Sequence, residues 1–250
     1  MPLEKISFFT AYKSVLAGSS ITLLTPNRIG EYGGRILFLN TKNRLSAISI
    51  SILGGISQLI ITLTAGCIGV LFFALHQMPV TIERYANPLV LIVCIISIIV
   101  LFFVFFFNKT IFNLLFSLPL LNKLKKHFSI LDLYNRKELL RILFFSLCRY
   151  MIFILQYLLL LHVMKVEINT IIGISLISIF YLIMALAPTI GIIELPVRAS
   201  LSLFILGVYS KNILGIQAAT FLIWVINIVI PAITGSIFVL RNKIYYDESY

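Results

Sequence analysis

Thr25-Pro-Asn-Arg-Ile-Gly-Glu31-Tyr-Gly-Gly-Arg35, close to one end of the chain, decides how the rest is read, because a similar phrase returns near the other end as Ala187-Pro-Thr-Ile-Gly-Ile-Ile-Glu194-Leu-Pro-Val-Arg198. Each copy has a Pro break, a Gly, a Glu, and an Arg four residues beyond that Glu. Both copies lie inside apolar sequence. A carboxylate or guanidinium at bilayer depth costs at least about 2.5–3.5 kcal/mol, so such groups usually carry a function. Matching helix breaks in two halves of a membrane protein point to a central binding site.

Composition sets the frame. The chain has 250 residues, of which 60% are hydrophobic and 12% charged, and its mean hydropathy is +1.06. Soluble domains average about 45–50% apolar and about 25% charged residues. The sequence therefore reads as a polytopic membrane protein. The net charge of +11 does not indicate nucleic acid, because the basic residues fall in loops between apolar runs, where anionic lipid accounts for them. Cys67, Cys94 and Cys148 lie within apolar runs without metal-ligand spacing and read as small packing residues. No cleavable signal peptide is recognisable.

Crossing the hydrocarbon takes about 20 apolar residues. Four stretches supply them without a strong break: 46–74, 88–107, 139–162 and 213–240. Asn87-Pro88 has the form of an N-cap followed by Pro at the first helical position. Asn135 with Glu138 has the form of a capping box. The regions around the two polar phrases differ from these. Pro26 interrupts the segment 5–40, and Pro188 interrupts 168–209. Each segment reads either as two short spans or as one re-entrant hairpin with its tip in the membrane. Broken backbone is tolerated there only where protein or water lines it.

Loop charge arbitrates. Lys42 and Arg44, the loop residues Lys109, Lys123, Lys125, Lys126, Arg136, Lys137 and Arg141, and the tail residues Arg241 and Lys243 fall on one side of the membrane. The alternate loops carry only Arg84, Lys165 and Lys211. The positive-inside rule makes the first set cytoplasmic, including the C-terminus. Both broken segments then fit hairpins, one opening inward and one outward, with tips near the midplane. Alternatively, 192–209 crosses fully, provided 168–187 does too.

The expected fold class is an all-α integral membrane protein. It has about four full transmembrane helices plus two broken, re-entrant helical hairpins in an inverted-repeat arrangement. The whole chain, 1–250, forms one transmembrane domain: hairpin 5–40, two spans in 46–107, a cytoplasmic basic loop 108–138, span 139–162, hairpin 168–209 and last span 213–240. Within the loop, Lys123, Lys125 and Lys126 interleave with Leu120, Leu121, Leu124 and Phe128. That pattern reads as an amphipathic segment on the inner leaflet or as a solvated basic loop.

The chemistry of the two phrases follows from their spacing. Glu31 and Arg35, and likewise Glu194 and Arg198, each share one helix face. Such a pair either neutralises two buried charges or opens to admit a charged ligand. The half-helix starts and Arg28 suit phosphate or carboxylate. Arg149, well inside the third span, either reaches the central cavity or snorkels to an interface. Gln58 and Gln156 read as interhelical hydrogen-bonding groups, and Gly54, Gly55, Gly66 and Gly69 as close-packing positions. The candidate lipid-headgroup residues are Arg28, Gly30, Glu31, Arg35, Arg149, Glu194 and Arg198.

No His-Glu-x-x-His, Gly-x-Ser-x-Gly or phosphate-loop motif occurs. The nine acidic residues form no carboxylate cluster suited to a divalent metal. No catalytic residue, metal or cofactor is expected.

Thr25–Glu31 and Pro188–Ser200 also resemble the two signatures of the transmembrane, flippase-type region of bacterial lysylphosphatidylglycerol synthases and its stand-alone relatives. The resemblance runs from about residue 5 to 240. It implies translocation of phospholipid between leaflets of the bacterial plasma membrane, with Arg28, Gly30, Glu31, Glu194 and Arg198 at the motif positions. It also implies two further helices ahead of the first hairpin, whereas Met1 lies almost at that hairpin. Asn27 and Pro196 stand where the family commonly has Gly. The expected function is a lipid translocase that binds a phosphate-bearing headgroup between the hairpin tips. The alternative is a non-catalytic accessory subunit that docks a lipid-modifying enzyme through the basic loop. Membrane lipids are the expected partners. Nucleic acid is not, and a homo-oligomer is compatible with the sequence.

Overall fold

The computed structural model describes residues 7–23, 25, 29–39, 44–77, 92–100, 102–103, 105–106, 134–187 and 193–247. Every element among them is helical. In chain order these are α1 (Phe8–Thr22), α2 (Gly30–Arg35) with a short 3-10 turn Ile36–Phe38, α3 (Arg44–Gln77), α4 (Arg136–Val163), α5 (Thr170–Leu186), α6 (Glu194–Leu206), α7 (Ile213–Trp224) and α8 (Ile230–Asp247). A π-turn at Val225–Val229 joins α7 to α8.

The helix starts follow local sequence chemistry. Ser7 caps α1 by accepting from Thr10 N at 3.1 Å. The capping box at α4 is present: Glu138 N donates to Asn135 Oδ1 at 3.0 Å, and Asn135 N donates to Glu138 Oε2 at 2.9 Å. Asn169 caps α5, and Asn212 caps α7. Asn212 also donates to the carbonyls of Met164 and Lys165, which fastens α7 to the reversal after α4. That reversal passes through Lys165 at φ 56°, a left-handed helix ending.

Among the described residues, three helical stretches are long and apolar enough to cross a membrane: Ala47–Leu75, Arg136–Val163 and Ile213–Arg241. The fourth expected span, 88–107, is helical where it is described. Its Asn87-Pro88 cap lies outside the described residues, and so does the basic loop from 108 to 133. The chain is thus an all-helical membrane protein. Its outward faces carry Phe144, Phe145, Leu155, Leu159, Phe204, Leu214 and Leu240, all exposed. Apolar side chains gain nothing by leaving lipid, so hydrophobic burial alone does not bring these helices together.

What does hold them is close contact at small residues. α1 lies between α2 and α8. A Cβ added at Gly34 of α2 would overlap the backbone of Ala17 and Gly18, and one at Gly235 of α8 would overlap that of Leu16. Elsewhere α3 packs on α5. There Gly66 meets Leu182, and Gly69 meets Ser175 and Ser178. Of the four glycines read as packing positions, these two make close helix contacts; Gly55 instead approaches the Tyr32 hydroxyl, and Gly54 has open space beside it.

The main core joins α4, α5, α6 and α7 through Tyr150, Tyr157, Leu176, Phe180, Leu206 and Ile216. A smaller one joins α3, Phe105 and α4 through Leu53, Ile60, Leu139 and Leu143. The π-turn has a local cause. Pro231 has no N–H to return to Asn227, and Ile230 N bonds five residues back to Val225 O. The side chain of Asn227 donates to Gln156 Oε1 at 3.1 Å, so Gln156 does bridge helices.

Gly235→Leu is expected to push α8 off α1 and lower stability by about 1–3 kcal/mol, the usual range for overpacking. Thermal unfolding of the detergent-purified chain checks this; an unchanged midpoint would contradict the contact.

Candidate functional site

The first break is stitched by one hydroxyl. α1 ends at Thr22, whose Oγ1 donates to Gly18 O at 2.8 Å. Thr25 Oγ1 donates to Ile21 O at 3.2 Å and accepts from Gly30 N at 2.9 Å. It therefore joins the last turn of α1 to the first residue of α2. Only glycine fits at position 30: a Cβ there would lie 2.6 Å from Ile21 Cγ2 and 2.8 Å from Ile21 O. Pro26, Asn27 and Arg28 lie outside the described residues.

The second break has a backbone cause. Ala187 is extended, with φ −78° and ψ 119°, as the residue before a proline usually is. Its N–H still reaches Ile183 O at 2.9 Å, which closes α5. Residues 188–192 lie outside the described residues. Helix resumes at Glu194. Pro196 falls in the first turn of α6, where a missing N–H leaves no intrahelical bond unmade. Glu194 and Glu31 both stand in the first turn of their helices, where negative charge is favoured.

Both spacings produce ion pairs. Arg35 Nη2 donates to Glu31 Oε1. Arg198 donates to Glu194 Oε1 twice, from Nε at 2.8 Å and from Nη2 at 2.5 Å. Their surroundings differ. The Glu194 and Arg198 side chains are 6% and 10% exposed, against 27% and 23% for Glu31 and Arg35.

The Arg198 guanidinium lies 5.9 Å over the Phe180 ring of α5. Around it, Tyr157, Phe180, Ser202 and Thr220 are all buried, and the Tyr157 and Thr220 hydroxyls are 2.7 Å apart. Gln217 of α7 donates to Ala199 O at 3.0 Å, which holds α6 against α7. The first pair sits instead on α1. Ser14 Oγ donates to the Arg35 carbonyl, and Gly18 leaves room for the Arg35 stem, since a Cβ there would be 3.0 Å from Arg35 Cγ. Arg35 Nε is buried and has no hydrogen-bond partner among the described residues.

Arg149 occupies the middle of α4 with an exposed side chain, its guanidinium 5.3 Å from the Phe153 ring. The structure therefore joins Gly30, Glu31 and Arg35 in one neighbourhood and Glu194 with Arg198 in another. Several contributors carry no sequence signal of their own. Ser14, Gly18, Tyr157 and Thr220 are ordinary residues in apolar runs. Only the Thr-Pro order at Thr25 hints at a stitch. Among the described residues no three His, Cys, Asp or Glu side chains gather into a metal-binding group.

These features define a class: a polytopic helical membrane protein with two interrupted helix pairs, each carrying an internal Glu–Arg bridge just after its break. The family model for the lysylphosphatidylglycerol synthase TM region matches residues 3–223, which include both breaks. The chain belongs to that family. Comparison with curated proteins and with solved structures finds no match.

Thr25→Val removes both bonds that cross the first break and is expected to lower stability by about 1–3 kcal/mol, because Gly30 N loses its acceptor. Thr25→Ser retains both bonds. Unfolding midpoints that fall for valine and hold for serine are the expected pattern; equal midpoints would contradict the stitch.

Proposed function

We propose that the chain is a lipid translocase of the bacterial plasma membrane that binds a phosphate-bearing headgroup at the two interrupted helix pairs. The observation that carries this reading is the repetition of one device in both halves: a broken helix followed at once by a Glu–Arg pair four residues apart. A single pair is explained by charge neutralisation alone. Two copies in corresponding positions are the pattern of a site built from facing repeats. Membership of a membrane-lipid family supports the same reading.

Helix length supports the re-entrant arrangement. At 1.5 Å per residue α1 spans about 22 Å, α2 about 9 Å and α6 about 20 Å. Each falls short of the hydrocarbon thickness of about 30 Å. Pairing α1 with α2 and α5 with α6 as hairpins places their breaks inside the membrane. The excess of Lys and Arg in alternate loops orients the C-terminal tail toward the cytoplasm.

In this reading Arg28, Gly30, Glu31, Arg35, Arg149, Glu194 and Arg198 frame the site. At least one guanidinium meets the phosphate, and the acyl chains remain in lipid. The paired glutamates keep the arginines neutralised when no headgroup is present, which lowers the energy of an empty site in hydrocarbon.

Reconstituted into proteoliposomes, the wild-type chain is expected to move a fluorescent phospholipid between leaflets. Arg28→Ala and Glu31→Gln are expected to reduce that rate to the protein-free background while still inserting. Wild-type rates in both variants would contradict the proposal.

A further inference from the structure

The two ion pairs have the same sequence spacing and differ in one hydrogen bond. An arginine recognises a phosphate or carboxylate best through two parallel N–H donors on one edge of the guanidinium. In Arg198 the Nε and Nη2 edge is already filled, since both atoms donate to Glu194 Oε1. In Arg35 the same edge is half filled. Nη2 donates to Glu31 Oε1, and Nε has no partner among the described residues although it is buried.

Surroundings reinforce the difference. Glu194 and Arg198 are 5% and 8% exposed as whole residues, beneath Phe180 and beside Tyr157, Ser202 and Thr220, which are between 0% and 1% exposed. No headgroup enters without unpacking α4, α5 and α7. Glu31 and Arg35 keep about a quarter of their side-chain surface open, at 27% and 23%. Their backbone is nonetheless fixed. Ser14 holds the Arg35 carbonyl, Thr25 holds Gly30 N, and α1 approaches α2 closely at Gly18 and Gly34. This is a rigid base with a partly exposed head whose buried Nε donor is unsatisfied among the described residues.

We propose that the two pairs divide the work: Glu31–Arg35 opens to take a phosphodiester group on the Nε and Nη2 edge of Arg35, while Glu194–Arg198 stays closed and acts as a fixed strut that positions α6. Glu31 is then an internal competitor. It occupies Arg35 when no ligand is present and is displaced when phosphate arrives. The shared chemistry is the phosphate anion, carried either by a lipid headgroup or by a free phosphate. This inference rests on the headgroup-binding reading and assigns its ligand contact to one pair.

The consequence has an unusual sign. Removing the acidic member of the open pair strengthens ligand binding, because Arg35 loses its competitor. The test uses the full chain purified in a neutral maltoside detergent, titrated in separate arms with a short-chain phosphatidylglycerol and with inorganic phosphate. Glu31→Gln is expected to bind the lipid about tenfold more tightly than wild type, equivalent to about 1.4 kcal/mol. Arg35→Lys, which keeps the charge and loses the fork, is expected to bind about tenfold more weakly. Glu194→Gln is expected to lower the unfolding midpoint far more than Glu31→Gln does; a Glu194→Gln protein that fails to fold is the extreme of the same result.

Inorganic phosphate that binds with the same variant pattern assigns recognition to the anion alone. A pattern seen only with the lipid assigns it to the headgroup. Both support the open pair. Lipid binding by wild type that is unchanged or weakened in Glu31→Gln overturns the division of roles and leaves the headgroup reading standing. So does a Glu194→Gln variant with a wild-type midpoint. A folded wild-type chain that binds neither probe overturns both. Binding with the expected pattern but no lipid movement in proteoliposomes removes the transport reading and leaves the open pair in place.

Discussion

A charge buried among apolar side chains has to find its counter-charge within the chain, and this constraint organises the molecule. The penalty for an unpaired buried ion is several kcal/mol. Placing Glu and Arg four residues apart on one helix satisfies the constraint without help from any other element. It also requires a helix at that place. Both interrupted pairs therefore restart helix at or just before the Glu: Gly30–Arg35 after the first break and Glu194–Leu206 after the second. Pro26 and Pro188 lie before those restarts, and Pro196 sits in the first turn of α6, where it interrupts nothing.

Once charge is settled locally, packing is left to shape. In lipid the helices gain little from burying apolar surface against one another, so contact falls where backbones approach closely. Gly34, Gly235, Gly66 and Gly69 mark those approaches, each against a named neighbour on another helix. The result is two neighbourhoods. α1, α2 and α8 share contacts at Leu16–Gly18, and α4 to α7 share a core that encloses Arg198. One ion pair falls at the edge of the first neighbourhood and the other inside the second. The same sequence device is thus about a quarter exposed in one half and nearly sealed in the other.

Much of this was legible in sequence. The apolar spans, the capping box at Asn135 and Glu138, the Gln156 bridge and the Glu–Arg pairing all follow from period, spacing and residue chemistry. The unequal burial of the two pairs was not. A four-residue spacing tells which face two side chains share; it does not tell which helix covers that face. The Phe180 and Tyr157 that seal Arg198 come from helices 18 and 41 residues back along the chain. Thr25 was visible only as part of a break, because its two bonds depend on where the first residue of α2 lies relative to the last turn of α1. The π-turn had a signal in Pro231, four residues after Asn227, but a proline in an apolar run equally announces a kink. Arg149 was open between cavity and interface; its side chain is exposed at mid-helix over Phe153.

The claim on which the account turns is that two pairs of identical spacing differ in readiness to exchange partners. Nitrogen-15 NMR of arginine-labelled protein in nanodiscs observes both Nε–H groups directly. The account predicts that the Arg198 Nε–H proton resonance keeps its position with or without anionic lipid. The Arg35 Nε–H, buried and without an acceptor among the described residues, should lie upfield of it in a neutral-lipid disc free of phosphate headgroups and move downfield when phosphatidylglycerol is added. Equal proton shifts for the two groups in the neutral disc, or a lipid-dependent change at Arg198 and none at Arg35, would contradict it.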